Sequence, residues 1–104
     1  MSNRKERRTN IDTIQAAGLI LEHLINLEEE GKHGQTIYGL KTKAFRTSQR
    51  DERIKAIVER LLNSGYINSF QSGEYKTLYY INEKGKKFYH DSIKSVMELF
   101  NWRS

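Results

Sequence analysis

An α+β fold is predicted, in the order helix, helix, turn, helix, β-hairpin, helix. Three observations predict it. Apolar residues recur at helical spacing in stretches 11–27, 37–44, 54–62 and 88–100. Two short runs rich in β-branched and aromatic residues flank Gln71-Ser72-Gly73-Glu74. Between the third helical stretch and the first of those runs lies Asn63-Ser64-Gly65, a helix ending that leads straight into a strand.

Residues 1–9 have no apolar periodicity and carry Arg4, Lys5, Arg7 and Arg8, so a disordered basic arm is expected there. In the first helix Ile11, Ile14, Ala17, Leu21, Leu24 and Ile25 share a face, with Asn10 or Asp12 as the expected cap. Glu28, Glu29 and Glu30 stand at its C-terminal end, unfavourable for the helix dipole, and Gly31 is the expected terminator. Residues 31–34 read as a loop. The second helix is expected from Thr36 to Ala44, although Gly39 inside it forfeits about 1 kcal/mol of propensity relative to Ala.

The third helix is expected to open at Thr47 or Ser48, with Ser48 and Asp51 spaced like a capping box. Ile54, Ile57, Val58, Leu61 and Leu62 form its apolar stripe, and Gln49, Glu52, Arg53, Ala56 and Arg60 are expected to point away from it. Strands are expected over residues 66–70 and 76–81. Asn82 caps a last helix whose Phe88, Tyr89, Ile93, Val96, Met97, Phe100 and Trp102 are too apolar for an isolated surface helix.

A length of 104 residues suits one domain with or without a tail. The 18 Lys and Arg against 13 Asp and Glu give a net charge of +5, which favours polyanionic partners. By segment, residues 1–9 carry +3, residues 10–31 carry −5, residues 32–60 carry +5 and residues 61–104 carry +2. The absence of Cys excludes disulfides, thiolate metal sites and cysteine nucleophiles. His23, His33 and His90 are not spaced as metal ligands. There is no Gly-rich phosphate loop and no nucleophile set against a base. No apolar run approaches a membrane span, and no apolar core of a signal peptide follows the charged N-terminus. The expectation is a cytoplasmic protein that is not an enzyme, with no cofactor, no metal, no membrane association and no obvious small-molecule ligand.

Three strings carry a resemblance. They are Thr36-Ile37-Tyr38-Gly39-Leu40, the run Ile57-Val58-Glu59-Arg60-Leu61-Leu62-Asn63-Ser64-Gly65-Tyr66-Ile67, and Leu78-Tyr79-Tyr80-Ile81-Asn82-Glu83-Lys84-Gly85. In this order and spacing they resemble the winged helix-turn-helix family, and the chain is similar to small archaeal regulators of chromosomes, plasmids and viruses. The resemblance implies a three-helix core with a two-stranded hairpin wing over residues 10–82. It also implies an additional C-terminal helix, residues 83–104, for dimerisation.

The function implied is sequence-specific binding of double-stranded DNA by a homodimeric transcriptional regulator. The third helix would enter the major groove, offering Arg46, Thr47, Ser48, Gln49, Arg50, Arg53 and Lys55. Arg53 and Gln49 are the base-reading candidates, because Arg matches guanine O6 and N7 and Gln matches adenine N6 and N7. Arg46, Thr47 and Ser48, at the expected helix start, suit a phosphate. Ser72, Gly73, Tyr75 and Lys76 form the wing tip, expected on the flanking backbone or minor groove, and Glu74 opposes its single lysine. The arm residues Arg4, Lys5, Arg7 and Arg8 suit an adjacent minor groove. Phe88, Tyr89, Ile93, Val96, Met97, Phe100 and Trp102 are the expected dimer interface. Two other readings share the fold: an architectural chromatin protein with little sequence preference, and a winged helix used as a protein–protein module.

Overall fold

The computed structural model describes the backbone of residues 2–45 and 49–101, and the side chains of residues 13–45, 49–96 and 98. Helix α1 spans Ser2–Glu29, α2 Ile37–Lys43 and α3 Asp51–Asn63. Strands β1 (Ile67–Gln71) and β2 (Thr77–Ile81) pair antiparallel, with Ile67 opposite Ile81 and Gln71 opposite Thr77. Helix α4 (Glu83–Phe88) continues through a π-helical turn, Tyr89–Ile93, into α5 (Lys94–Asn101).

One core joins all three leading helices to the base of the hairpin. Ile20, Leu21, Leu24, Leu40, Ile54, Val58, Ile67 and Ile81 are its most deeply buried side chains. The predicted stripe of α3 supplies Ile54, Ile57, Val58 and Leu61 to it. Strand alternation puts Ile67 and Ile81 on the core face, while Phe70 and Tyr80 lie on the outer face with ring centroids 5.8 Å apart.

Helix ends follow the glycines. At the end of α1 the Lys32 N–H donates to Leu27 O (2.9 Å) and the Gly31 N–H to Glu28 O (3.0 Å), with Gly31 at φ +79°. At the end of α3 the Tyr66 N–H donates to Leu61 O and the Gly65 N–H to Leu62 O, both at 3.0 Å, with Gly65 at φ +82°. Both are Schellman endings, which need the left-handed conformation that glycine adopts without strain. Cations face two of the acids at this end of α1. Lys86 Nζ lies 2.8 Å from Glu83 and within ion-pair distance (2.6 Å) of Glu28, which offsets the dipole, and Lys32 pairs with Glu30 at 3.6 Å.

Four expectations are corrected. The arm of residues 1–9, expected to be disordered, belongs to α1 from Ser2, and Asn10 and Asp12 are interior residues rather than caps. Arg, Lys and Glu are good helix formers, and no Gly or Pro precedes Gly18, so a helix nucleated on the core extends through them. Helix α3 begins at Asp51, not at Thr47 or Ser48, and its N-cap residue Arg50 makes no side-chain capping bond. Asp51 pairs with Lys41 of α2 at 2.7 Å, and Ser48, the other half of the expected capping box, lies outside the described residues. Just past the expected loop 31–34, where no strand was expected, Gln35 exchanges two backbone hydrogen bonds with Tyr79 (2.9 and 2.8 Å), so the hairpin has a third, one-residue neighbour. A single residue leaves no alternation in the sequence by which to see it.

The fourth correction concerns the last helix. Tyr89 and Ile93, expected at a dimer interface, are 5% and 8% exposed and belong to the chain's own core. The Tyr89 hydroxyl donates to Glu22 Oε2 at 2.8 Å, and burial followed by that carboxylate pushes its pKa up. Phe88 is half-buried and stacks on Tyr66, with centroids 4.1 Å apart and rings 10° from parallel. The π turn, in which the Lys94 N–H reaches Tyr89 O, lies against α1, so this part of the stripe is filled intramolecularly. Val96 is half-buried, while the side chains of Met97, Phe100 and Trp102 lie outside the described residues.

His23 gives the fold a measurable acid response. Its ring Nε2 lies 3.4 Å from Gln35 Nε2, and burial, then Lys43, holds its pKa below the usual 6.5, with Glu30 opposing. The unfolded chain therefore takes up this proton at higher pH than the folded one. This contribution to stability is complete above pH 6.5 and declines as the pH falls through the folded value. The expected result is a lower urea midpoint at pH 5.5 than at pH 7.5. His23→Gln should reduce that difference, and an unchanged difference would remove His23 as its source.

Candidate nucleic-acid interface

Helices α2 and α3 are fixed to one another before any ligand is considered. Thr36 caps α2, its Oγ1 accepting from the Gly39 N–H at 3.0 Å. The Gln35 side chain folds over the same turn, its Oε1 accepting from the Thr36 N–H at 3.0 Å. A Cβ on Gly39 would overlap that Oε1, so a larger residue there would turn the Gln35 side chain aside from the cap. Lys41 then binds Asp51, the first residue of α3. The carboxylate raises the Lys41 pKa and the ammonium lowers that of Asp51, so the pair stays charged at neutral pH.

With the stripe of α3 centred on Ile54, Ile57, Val58 and Leu61, helical geometry puts Glu52, Ala56 and Glu59 on the opposite face. All three are exposed, as are Arg50, Lys55 and Arg60. Arg53 falls on the flank of the stripe, roughly 90° from its centre at about 100° per residue. It is half-buried, its NH1 donating to Gln49 Oε1 at 3.3 Å. Its Nε and NH2 are shut off from solvent and find no hydrogen-bond partner among the described residues. Gln49 is half-buried as well. The two expected base readers thus engage each other instead of both facing outward. Arg46, Thr47 and Ser48 lie outside the described residues, as do the side chains of Arg4, Lys5, Arg7 and Arg8.

The start of α3 at Asp51 also sets where its dipole acts. The first turn of α3 carries Asp51 and Glu52, so the N-terminal positive end is already matched by acids. Positive charge near the start comes from the side chain of Arg50, which is exposed.

The wing tip is open. Ser72, Gly73, Tyr75 and Lys76 are all exposed, Tyr75 at 97%. Gly73 turns the chain at φ +85°, and the Ser72 N–H donates to Lys76 O at 2.7 Å. Tyr75 is therefore not used in hairpin packing. Tyr38 on α2 is 73% exposed and is on none of the faces that the sequence pattern picks out. Among the described residues no group of His, Asp or Glu could hold a metal ion, and no helix is long and apolar enough to cross a membrane.

The geometry has counterparts among solved structures. The crystal structure of SSV1 F-93 superposes at TM-score 0.63 with 20% sequence identity, covering 86% of this chain and 92% of that one. A transcriptional regulator from Clostridium thermocellum, Cth-833, superposes at TM-score 0.62 with 21% identity, covering 95% and 94%. The chain has the winged-helix fold. No family model matches the chain, and a search of the curated proteins gives no match. Within the winged helix, α3 and the tip at Gly73 are the exposed elements that the sequence also singles out.

Proposed function

We propose that the protein binds double-stranded DNA sequence-specifically, as a homodimeric transcriptional regulator. The observation that carries this reading is the winged-helix fold with a polar, outward α3 face and a wing tip left open. Charge agrees, because residues 32–60 hold eight bases against three acids while the five acids of residues 10–31 lie on or beside α1. Arg50 and Lys55 suit phosphates, the Gln49–Arg53 pair suits a base edge, and Ala56 offers a methyl of the kind that packs on thymine. Tyr75 and Lys76 suit the flanking backbone or minor groove, with the arm Arg4, Lys5, Arg7 and Arg8 as a further basic element.

A two-fold partner is supported by the apolar residues left over. Val96 on α5 is only half-buried and Ile14 on α1 is 47% exposed, and these two helices touch. Met97, Leu99, Phe100 and Trp102 add to the apolar content of that end. A dimer would set two α3 helices about one DNA turn apart, which fits a pseudo-palindrome.

Selection from a random duplex library, run at low and moderate salt, tests the reading. Enrichment of a pseudo-palindromic site is expected. If about six to eight phosphates are neutralised per dimer, affinity should fall roughly a thousandfold or more between about 50 and 200 mM salt. Salt-sensitive binding without enrichment would favour an architectural protein, and no binding at either salt would leave a protein–protein module. A monomeric mass by light scattering at micromolar concentration would refute the dimer.

A further inference from the structure

We propose that Arg53 is a positioning residue, acting on DNA through Gln49, so that the two side chains serve one base pair and not two. This rests on the DNA-reading role of α3 set out above. A guanidinium carries only donors, so the Gln49 atom that faces Arg53 NH1 at 3.3 Å is the carbonyl oxygen. Reading guanine in a bidentate way needs two N–H groups of Arg53 turned outward. Its Nε and NH2 are closed off from solvent instead, and its NH1 is committed to Gln49.

Gln49 gains what Arg53 forgoes. It stands two residues before the first helical residue, Asp51, and the intervening N-cap Arg50 makes no side-chain capping bond. Helical geometry therefore does not set the Gln49 side chain. The bond from Arg53 ties it to α3 across the junction. A guanidinium is a permanent cation, so the amide oxygen is held beside fixed positive charge. A Gln held this way favours a base edge made of acceptors, as guanine N7 and O6 are, over adenine, whose N6 amino group is a donor that needs the same oxygen.

The experiment uses the full chain and the site enriched by selection. Binding of wild type, Gln49→Ala, Arg53→Ala and the double variant is measured with each base pair of the site changed in turn. Gln49→Ala and Arg53→Ala should each lose about tenfold discrimination at the same base pair, with guanine preferred there, and the double variant should lose no more than either. Arg53→Lys, which keeps a cationic donor, should retain part of it. Losses at two different base pairs that multiply in the double variant would make Arg53 an independent reader and overturn the proposal. So would a loss shared equally by all sequences, which a merely structural role predicts.

A second measurement needs no DNA. Arg53→Ala should shift the NMR resonances of the Gln49 side-chain amide in the free protein, and unmoved resonances would overturn the pairing. If wild type selects no site, the DNA reading fails and takes this proposal with it. The amide shift then tells that failure apart from absence of the pair.

Discussion

Gly85→Ala should lower the stability of the protein by about 2–3 kcal/mol, read as a fall in the urea midpoint at unchanged slope. Helix propensity predicts the opposite, a gain of about 1 kcal/mol, because Gly85 lies inside α4. The difference comes from what a Cβ would meet. It would overlap the Tyr66 backbone oxygen, with Tyr66 C and Ile81 Cγ1 each at 3.0 Å. Backbone atoms cannot rotate aside as a side chain can. The first turn of α4 would have to lift from the start of the hairpin, disturbing the Asn82 cap that bonds the Gly85 N–H at 2.8 Å. A stabilised variant would show that α4 is not held this closely.

The second large effect is expected at Leu40. Its side chain is 0% exposed at the centre of the seven-residue α2, which has only Leu40 and Gly39 fully buried. Leu40→Ala should cost about 2–5 kcal/mol, from lost burial plus the cavity left behind. Against a typical stability of about 5–15 kcal/mol that is a large share. A short helix has little else to hold it, so the loss should also be local. Amide exchange over residues 36–44 should quicken more than over α1. Asn26→Ala, at an exposed position of α1, is the control, with a change expected within about 0.5 kcal/mol. An equal loss at both positions would mean that burial does not govern stability here.

Both sites show which parts of the fold are legible in the sequence. Elements set by periodicity and glycine were readable. The stripe Ile54, Ile57, Val58 and Leu61 is buried as its spacing implies, α2 lies within one residue of its expected ends, and Gly31 and Gly65 end their helices. Elements set by competition between partners were not. Ser48 and Asp51 have capping-box spacing, but Lys41, ten positions earlier on α2, pairs with the Asp51 carboxylate. Tyr89 and Ile93 have the character of an interface, yet α1 is long enough to cover them. The candidate site was legible as a face and not as individual roles. Placing Arg53 opposite the stripe assumed an even division of the helix, whereas its angle puts it on the flank, where it reaches Gln49.

The amide of Asn82 has a mechanical consequence. Its Oδ1 caps α4, while its Nδ2 donates to Gly65 O at 2.9 Å and Asn68 Oδ1 at 2.6 Å. Lys84 Nζ donates to Ser64 O at 2.8 Å and sits 5.1 Å from the Tyr66 ring. To pivot at Gly65, the hairpin must break the bonds to Gly65 O and Ser64 O together. The junction is therefore a braced corner and not a hinge. The angle between α3 and the hairpin is built into the monomer, so a surface that touches both must accept that angle or bend to meet it.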